Sequence, residues 1–221
     1  MIKNLFFDLD NTIIKDEDVD SEYYKIALNK LGYDENDYWG IYCKIDEYEK
    51  TLTIENNYFT KEGLINFINK GLNRNYSIEL IDELIKVVGK TWTKRIVLNK
   101  ETLEYLYKKY NLYIYTNFFL ESQQTRIDEI GYTKYFNKIF TADIYGSKPF
   151  KNSFEKILEE LNVLPEECIM IGDNKKIDIM AANNVGMKSI LYDYDGTRDK
   201  KDIMTKDYIV IKDLRELENI L

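Results

Sequence analysis

Apolar residues recur along this chain in two rhythms. Short continuous apolar runs alternate with longer stretches in which apolar positions return every three or four residues, the periods of a buried strand and of a half-buried helix. The first run, Ile2 to Phe7, predicts a strand. From about Asn99 onward the two types take turns. A helix is expected over about Lys100 to Tyr110, with Leu103, Leu106, Tyr107 and Tyr110 at helical spacing, then a strand Leu112 to Tyr115 and a helix from about Leu120 to Ile130. A strand Lys138 to Phe140 precedes a helix with Phe154, Ile157, Leu158 and Leu161 on one face. Cys168 to Ile171, a helix from Ile177 to Val185, a strand Lys188 to Tyr192, a last strand near Tyr208 to Ile211 and a terminal helix complete the series. Such alternation predicts an α/β fold with a parallel sheet, whose right-handed crossovers put every strand's carboxyl end on one edge.

Between about Asp16 and Leu98 the pattern changes. No buried strand is expected there, but amphipathic helices can be drawn over about Ser21 to Leu31, over Lys61 to Leu72 with Leu64, Ile65, Phe67 and Ile68, and over Ile78 to Trp92 with Leu80, Ile81, Leu84, Ile85 and Val88. The stretch is too long for a loop and too short for an independent enzyme. The organisation it predicts is a core of residues 1–15 and 99–221 interrupted by a helical insertion of residues 16–98. The aromatics Trp39, Tyr42, Tyr48, Tyr58, Phe59 and Trp92 are expected to fill the insertion's own core. Proline occurs only at Pro149 and Pro165, so hinges near Lys15 and Asn99 must use ordinary loop residues.

The first strand runs directly into Asp8-Leu9-Asp10-Asn11-Thr12. Residues two apart on a continuing strand share a face, so Asp8 and Asp10 would stand together at the strand's carboxyl end, where open α/β sheets bind ligands. Adjacent carboxylates repel, which favours a bound cation or a shared proton. The same residue types also end strands in simple turns. Three further segments bear on the choice: Thr116 after the run Leu112 to Tyr115, Lys148 in Gly146-Ser147-Lys148-Pro149, and Asp173 and Asp178 in Gly172-Asp173-Asn174-Lys175-Lys176-Ile177-Asp178.

Composition narrows the chemistry. The 221 residues include no histidine, which excludes Ser-His-Asp and Cys-His sites and histidine-ligated zinc. Proton transfer must fall to carboxylates, Lys, Tyr or water. A formal charge of -8 opposes binding to a nucleic acid polymer, although a cation and a few lysines would still admit a small anion. The apolar fraction is an ordinary 44%, yet no apolar run approaches the roughly 18 residues of a membrane span, so no membrane partner is expected. The N-terminus enters a strand without a signal-like segment, which predicts a cytoplasmic protein. Cys43 and Cys168 lie far apart, and Cys168 reads as a reduced core residue.

Taken in order, the Asp-x-Asp-x-Thr loop, the strand-end Thr116, Lys148 and the Gly-Asp pair followed by Asp178 resemble the four signatures of the haloacid dehalogenase (HAD) superfamily. The resemblance covers Met1 to about Lys15 and about Asn99 to the C-terminus, and the helical insertion is similar to that superfamily's first class of cap. It implies a Rossmann-like core with an α-helical cap and Mg²⁺-dependent hydrolysis of a small phosphomonoester, a sugar phosphate or nucleoside monophosphate. By the resemblance, Asp8 is the nucleophile that becomes an aspartyl phosphate, and Asp10 is the general acid and base. Asp8, the backbone carbonyl of Asp10 and Asp173 hold Mg²⁺, with Asp178 supporting them from behind. Thr116, the adjoining Asn117 and Lys148 bind the phosphoryl oxygens, Lys148 also countering the Asp8 charge. Thr12 serves as a local turn residue that hydrogen-bonds the loop. Superfamily dehalogenases and phosphonatases lack a carboxylate at the position of Asp10, so its presence favours phosphate esters. The stretch Thr116 to Arg126 is similar to 5′-nucleotidase-like and sugar-phosphate phosphatase members, except that Phe118 stands where those often have Gly. Two alternatives stay open: a phosphomutase of the β-phosphoglucomutase type, which uses the same Asp pair and Mg²⁺, and a non-catalytic sensor of a phosphate ligand.

Overall fold

A computed structural model describes residues 1–15, 21–91, 96–198 and 208–221. Six parallel strands form one sheet: β1 (Asn4–Phe7), β2 (Asn111–Thr116), β3 (Lys138–Thr141), β4 (Cys168–Gly172), β5 (Lys188–Tyr192) and β6 (Tyr208–Ile211), in the spatial order β3-β2-β1-β4-β5-β6. β1 is central, with Phe7 level with Ile114 of β2 on one side and Ile171 of β4 on the other. The strand order reverses across β1, so the crevice outside its carboxyl end is the place such a sheet offers a ligand. The α/β expectation is met, and the strands lie within a residue or two of their expected limits.

The pleat explains the apolar runs. Leu5 and Phe7 of β1 join Ile114, Ile171 and Ile190 in one buried cluster, while Phe6 points the other way and joins Tyr113, Tyr115, Phe140, Phe154 and Met170. Both faces of the sheet are covered, as parallel sheets require. The helices α5 (Lys100–Tyr107), α6 (Leu120–Glu129), α7 (Ala142–Tyr145), α8 (Lys151–Leu161), α9 (Met180–Asn184) and α10 (Leu217–Ile220) alternate with the strands. The helix expected from Ile177 begins earlier, with a π-helical turn over Lys175–Ile179. The Asn174 side chain starts it by accepting from the amides of Lys176 and Ile177. Among the described residues no helix is long and apolar enough to cross a membrane.

Helices α1 (Ser21–Lys30), α2 (Tyr38–Glu49), α3 (Lys61–Leu72) and α4 (Glu79–Thr91) build a second apolar cluster around Leu28, Ile41, Leu64 and Ile68, with Leu80, Ile81 and Leu84 from α4 and, from a loop of the strand layer, Phe119. α2 is not among the helices expected from periodicity. Its buried stripe is only Ile41 and Tyr48, spaced one heptad apart and interrupted by Cys43 and Lys44. The aromatics divide rather than filling one core. Tyr48 and Phe59 are buried, but Trp39 is 55% exposed and stacks its ring on Tyr42. Tyr58 is half-buried, and Trp92 lies outside the described residues. Indole and phenol rings can leave one face wet without cost to their polar edge, which is why aromatic content alone misjudged this layer. The two connections to the sheet are tied together where hinges were expected: the amides of Val97 and Leu98 both donate to the Ile13 carbonyl.

Phe154 is fully buried and meets Phe6 and Tyr115 edge-on, with ring centroids 5.2 and 5.0 Å apart. Phe154→Ala is expected to lower the unfolding free energy by about 3–5 kcal/mol, read as a reduced midpoint at unchanged slope in urea titration.

Candidate active site

The carboxyl ends of β1, β2 and β4 open into a cleft of about 340 Å³, lined from the sheet side by Asp8, Asp10, Thr116, Asn117, Lys148 and Asp173. Asp8 follows β1 directly, and its amide donates to the Ile171 carbonyl, which extends the pairing with β4 by one residue. The next turn reverses the chain: Asn11 takes the left-handed conformation, and the Ile13 and Ile14 amides both donate to the Leu9 carbonyl. Asn tolerates that region better than most residues.

The centre is an ion cluster. The buried Lys148 ammonium donates to Asp8 Oδ1 and to Asp178 Oδ1, each at 2.6 Å, and lies 5.5 Å from the centre of the Tyr115 ring. Asp178 Oδ2 accepts from the Asn174 amide at 3.0 Å. One oxygen each from Asp8, Asp173 and Asp178 lies within 4.8 Å of the others. Gly172 makes this approach possible, because a Cβ there would stand 2.3 Å from Asp178 Oδ2. One ammonium cannot neutralise three buried carboxylates. Burial, then repulsion from Asp178, raises Asp8 well above the usual carboxylate range despite Lys148. The same two causes push Asp173 up to about 7 although Arg198 opposes them. Burial would lower Lys148, but the charges of Asp178 and Asp8 outweigh it and hold the ammonium protonated. A close oxygen-only donor set short of positive charge is the environment that suits a hard divalent cation.

Several partners were not anticipated. Asp10 is gripped bidentately by the buried Arg126 guanidinium of α6, at 2.5 and 3.2 Å, and Arg126 also donates to Gln123. The side chain of Asp10 is therefore held in place, because a guanidinium buried at that depth requires a carboxylate. Asp10 remains about one-third exposed towards the cleft. Asp173 is paired with Arg198, which also bonds the Tyr194 hydroxyl. Thr116 donates to the Asn117 carbonyl and accepts from Gln123 Nε2. Asn117 takes the Lys148 amide on its Oδ1 at 3.0 Å and donates through Nδ2 to Glu49 of α2 at 2.5 Å. Burial raises Glu49, against the lowering effect of that bond. Thr12 departs from expectation: it is buried, yet its hydroxyl has no hydrogen-bond partner. The turn is closed by backbone bonds to Leu9 instead, which leave the side chain nothing to do.

Some of this had a signal. Gln123 and Arg126, three apart on α6, lie on its buried side with Ser122 and Ile127, and buried polar pairs of that kind need partners. Glu49 and Arg198 had none, since each meets its partner across long sequence separation or from a loop. Phe118 has φ +86°, a conformation in which glycine is at ease and a side chain is strained. Its ring packs edge-on against Phe59 and Phe119, at 5.6 and 5.0 Å.

Residues 5–192 match the family of haloacid dehalogenase-like hydrolases. The chain is 31% identical over 118 residues to the glyceraldehyde 3-phosphate phosphatase of Methanothermobacter thermautotrophicus, an alignment covering 52% of each. It is 33% identical over 96 residues to the ribulose-1,5-bisphosphate 5-phosphatase of Halopiger xanaduensis, covering 42% of this chain and 40% of that one. The chain thus spans about half the length, or less, of these curated relatives. The HAD hydrolase YfnB of Bacillus subtilis, whose crystal structure was solved bound to magnesium, superposes with a TM-score of 0.70 at 20% identity, covering 100% of this chain and 98% of that one. With the match running through the sheet, the ion cluster and the helices between them, the chain belongs to the haloacid dehalogenase-like hydrolase family.

Proposed function

We propose that this protein is a Mg²⁺-dependent phosphatase that hydrolyses a small phosphomonoester through an aspartyl phosphate on Asp8. The observation that carries the reading is the buried carboxylate of Asp8, 2.6 Å from the Lys148 ammonium and flanked by Asp10 at the floor of an open cleft. A carboxylate can attack phosphorus in line and split hydrolysis into two easier steps. Lys148 offsets the mutual repulsion of the nucleophile and the phosphoryl oxygens. Thr116 and the amides that follow β2 provide donors for those oxygens. Asp10, held by Arg126 at the cleft wall, protonates the departing alcohol and then takes a proton from the water that attacks the acyl phosphate. Asp8, Asp173 and the Asp10 backbone carbonyl would hold Mg²⁺, braced by Asp178, and the ion would supply charge neutralisation at the transferring group.

In the same reading, residues 16–98 act as a cap over a core of residues 1–15 and 99–221, and the substrate is a sugar phosphate or a nucleoside monophosphate. Support for a small substrate comes from the cleft's size and from Tyr24, Tyr42, Ile45 and Phe59, which the helical layer contributes to its walls.

Asp8→Asn is expected to abolish phosphate release, whereas Asp10→Asn should slow it by roughly 10²-fold or more through loss of acid-base help. Assays of purified variants on a panel of phosphorylated metabolites would check both. Near-normal turnover by Asp8→Asn would rule out the mechanism.

Chelation should silence the enzyme and Mg²⁺ restore it, with Ca²⁺ inhibiting because its looser, larger coordination shell misaligns in-line attack. Phosphate release that survives exhaustive chelation would count against the carboxylate cluster as a cation site.

Gly172→Ala should leave the fold intact by circular dichroism but reduce turnover at least about 10-fold, because its Cβ would displace Asp178 and, through it, Lys148. Unchanged kinetics would show that this close approach is not needed for turnover.

A further inference from the structure

The two sides of the cleft differ in charge. Among the described residues, every cation that lines it, Lys148, Arg126 and Arg198, comes from the strand layer, and each is engaged with an aspartate there. The helical layer contributes carboxylates and no Lys or Arg to the lining among the described residues: Glu49 and Asp46 of α2 stand among Tyr24, Tyr42, Ile45 and Phe59. Glu49 is not a loose surface charge. Its Oε1 is fixed at 2.5 Å to the Asn117 amide, whose other end receives the Lys148 backbone N–H. One side chain thus ties this carboxylate to the backbone of the residue whose ammonium contacts Asp8.

Resting on the phosphatase reading, we propose that Glu49 is a specificity-determining residue that selects monoesters whose leaving group is uncharged or cationic and carries a hydroxyl or ammonium donor, and that it rejects substrates with a second anionic group. With phosphate at the Asp8 end, the leaving group extends towards α2. A hydroxyl or ammonium there finds an acceptor whose charge burial has already made costly, and relieves it. A carboxylate or second phosphate meets Glu49 and then Asp46 at short range, with no helical-layer cation among the described residues lining the cleft to receive it. The aromatic and aliphatic walls accommodate a carbon skeleton but supply no charge. Of the two related phosphatases, the reading admits the substrate type of the glyceraldehyde 3-phosphate enzyme and refuses that of the bisphosphate enzyme.

The test uses monoesters of similar size that differ in the charge of the group away from the phosphate. Glyceraldehyde 3-phosphate is compared with 3-phosphoglycerate, and glucose 6-phosphate with both 6-phosphogluconate and glucosamine 6-phosphate, with p-nitrophenyl phosphate as a common reference, all in Mg²⁺. The wild type should prefer glyceraldehyde 3-phosphate to 3-phosphoglycerate, and both glucose 6-phosphate and glucosamine 6-phosphate to 6-phosphogluconate, by at least about 10-fold in kcat/KM. Glu49→Gln keeps an acceptor for Asn117 and removes the charge, so it should narrow that ratio about 10-fold, chiefly through KM for the anionic member. Asp46→Asn, on the exposed side of α2, should narrow it in the same direction by less, and answers the question if Glu49→Gln is misfolded. Equal kcat/KM within pairs for the wild type, or a ratio unmoved in folded variants, would overturn the role of Glu49 while leaving the phosphatase standing. No turnover of any ester, p-nitrophenyl phosphate included, would overturn the phosphatase reading and this inference with it.

Discussion

One ammonium holds the site together. Lys148 is buried between Asp8 and Asp178 at equal distances, and it gives each of these buried carboxylates a charge-assisted hydrogen bond. Its position is specified from three directions. Asn117 takes its backbone amide, Tyr115 lies under its Nζ, and Gly172 clears the space in which Asp178 receives it. These contacts draw on β2, on the loop before α8, and on β4, which come together only when the strands have paired in register around β1. Sheet topology and site electrostatics are consequently a single constraint. The cluster so assembled holds fewer cations than carboxylates, a deficit that suits it to a divalent cation.

Much of this architecture was legible along the chain. Strands inside the sheet are continuous apolar runs, so Lys188–Tyr192 matches its expected limits, and the edge strand Tyr208–Ile211 does so as well although Ile209 and Val210 are exposed. The aspartates of Asp8-Leu9-Asp10 fall at the edge that a parallel sheet assigns them. Helices with aliphatic stripes were equally plain, and α3 spans Lys61–Leu72 as periodicity indicates. α2 escaped because two residues make its buried stripe and its aromatics face both inward and outward. The partners of the aspartates escaped for another reason. Whether a given arginine is a solvated surface group or the counterion of Asp10 depends on how α6 rotates against β1, and that rotation is decided by packing distributed over the whole core. The spacing of Gln123 and Arg126 marks a polar pair on α6, but not which carboxylate that pair meets.

Phe118 illustrates the distinction between a position and its occupant. The backbone after Asn117 turns through a conformation that glycine adopts freely, and similarity to other phosphatases directs attention to glycine there. Here a phenyl ring endures the strain and bridges Phe119 on its own loop to Phe59 of the helical layer. Contact area of that kind offsets a local backbone cost of order 1–3 kcal/mol. The strained turn and the ring are thus separate features, the ring being how this chain joins its two layers.

α6 belongs to both layers at once. On one side it presents Arg126 and Gln123 to Asp10 and Thr116. On the other it packs against α4 so closely that a Cβ on Gly89 would lie 3.0 Å from Thr125 and 3.1 Å from the Ser122 carbonyl. A helix in such tight contact cannot be passed by its neighbour without shifting or turning, since packed interfaces change between discrete arrangements rather than deforming smoothly. A shift of the helical layer carried through α4 would reach the guanidinium that pairs with Asp10. A substitution on the outer surface of α4, far from the cleft, therefore has a packed route through α6 to the orientation of the Asp10 side chain.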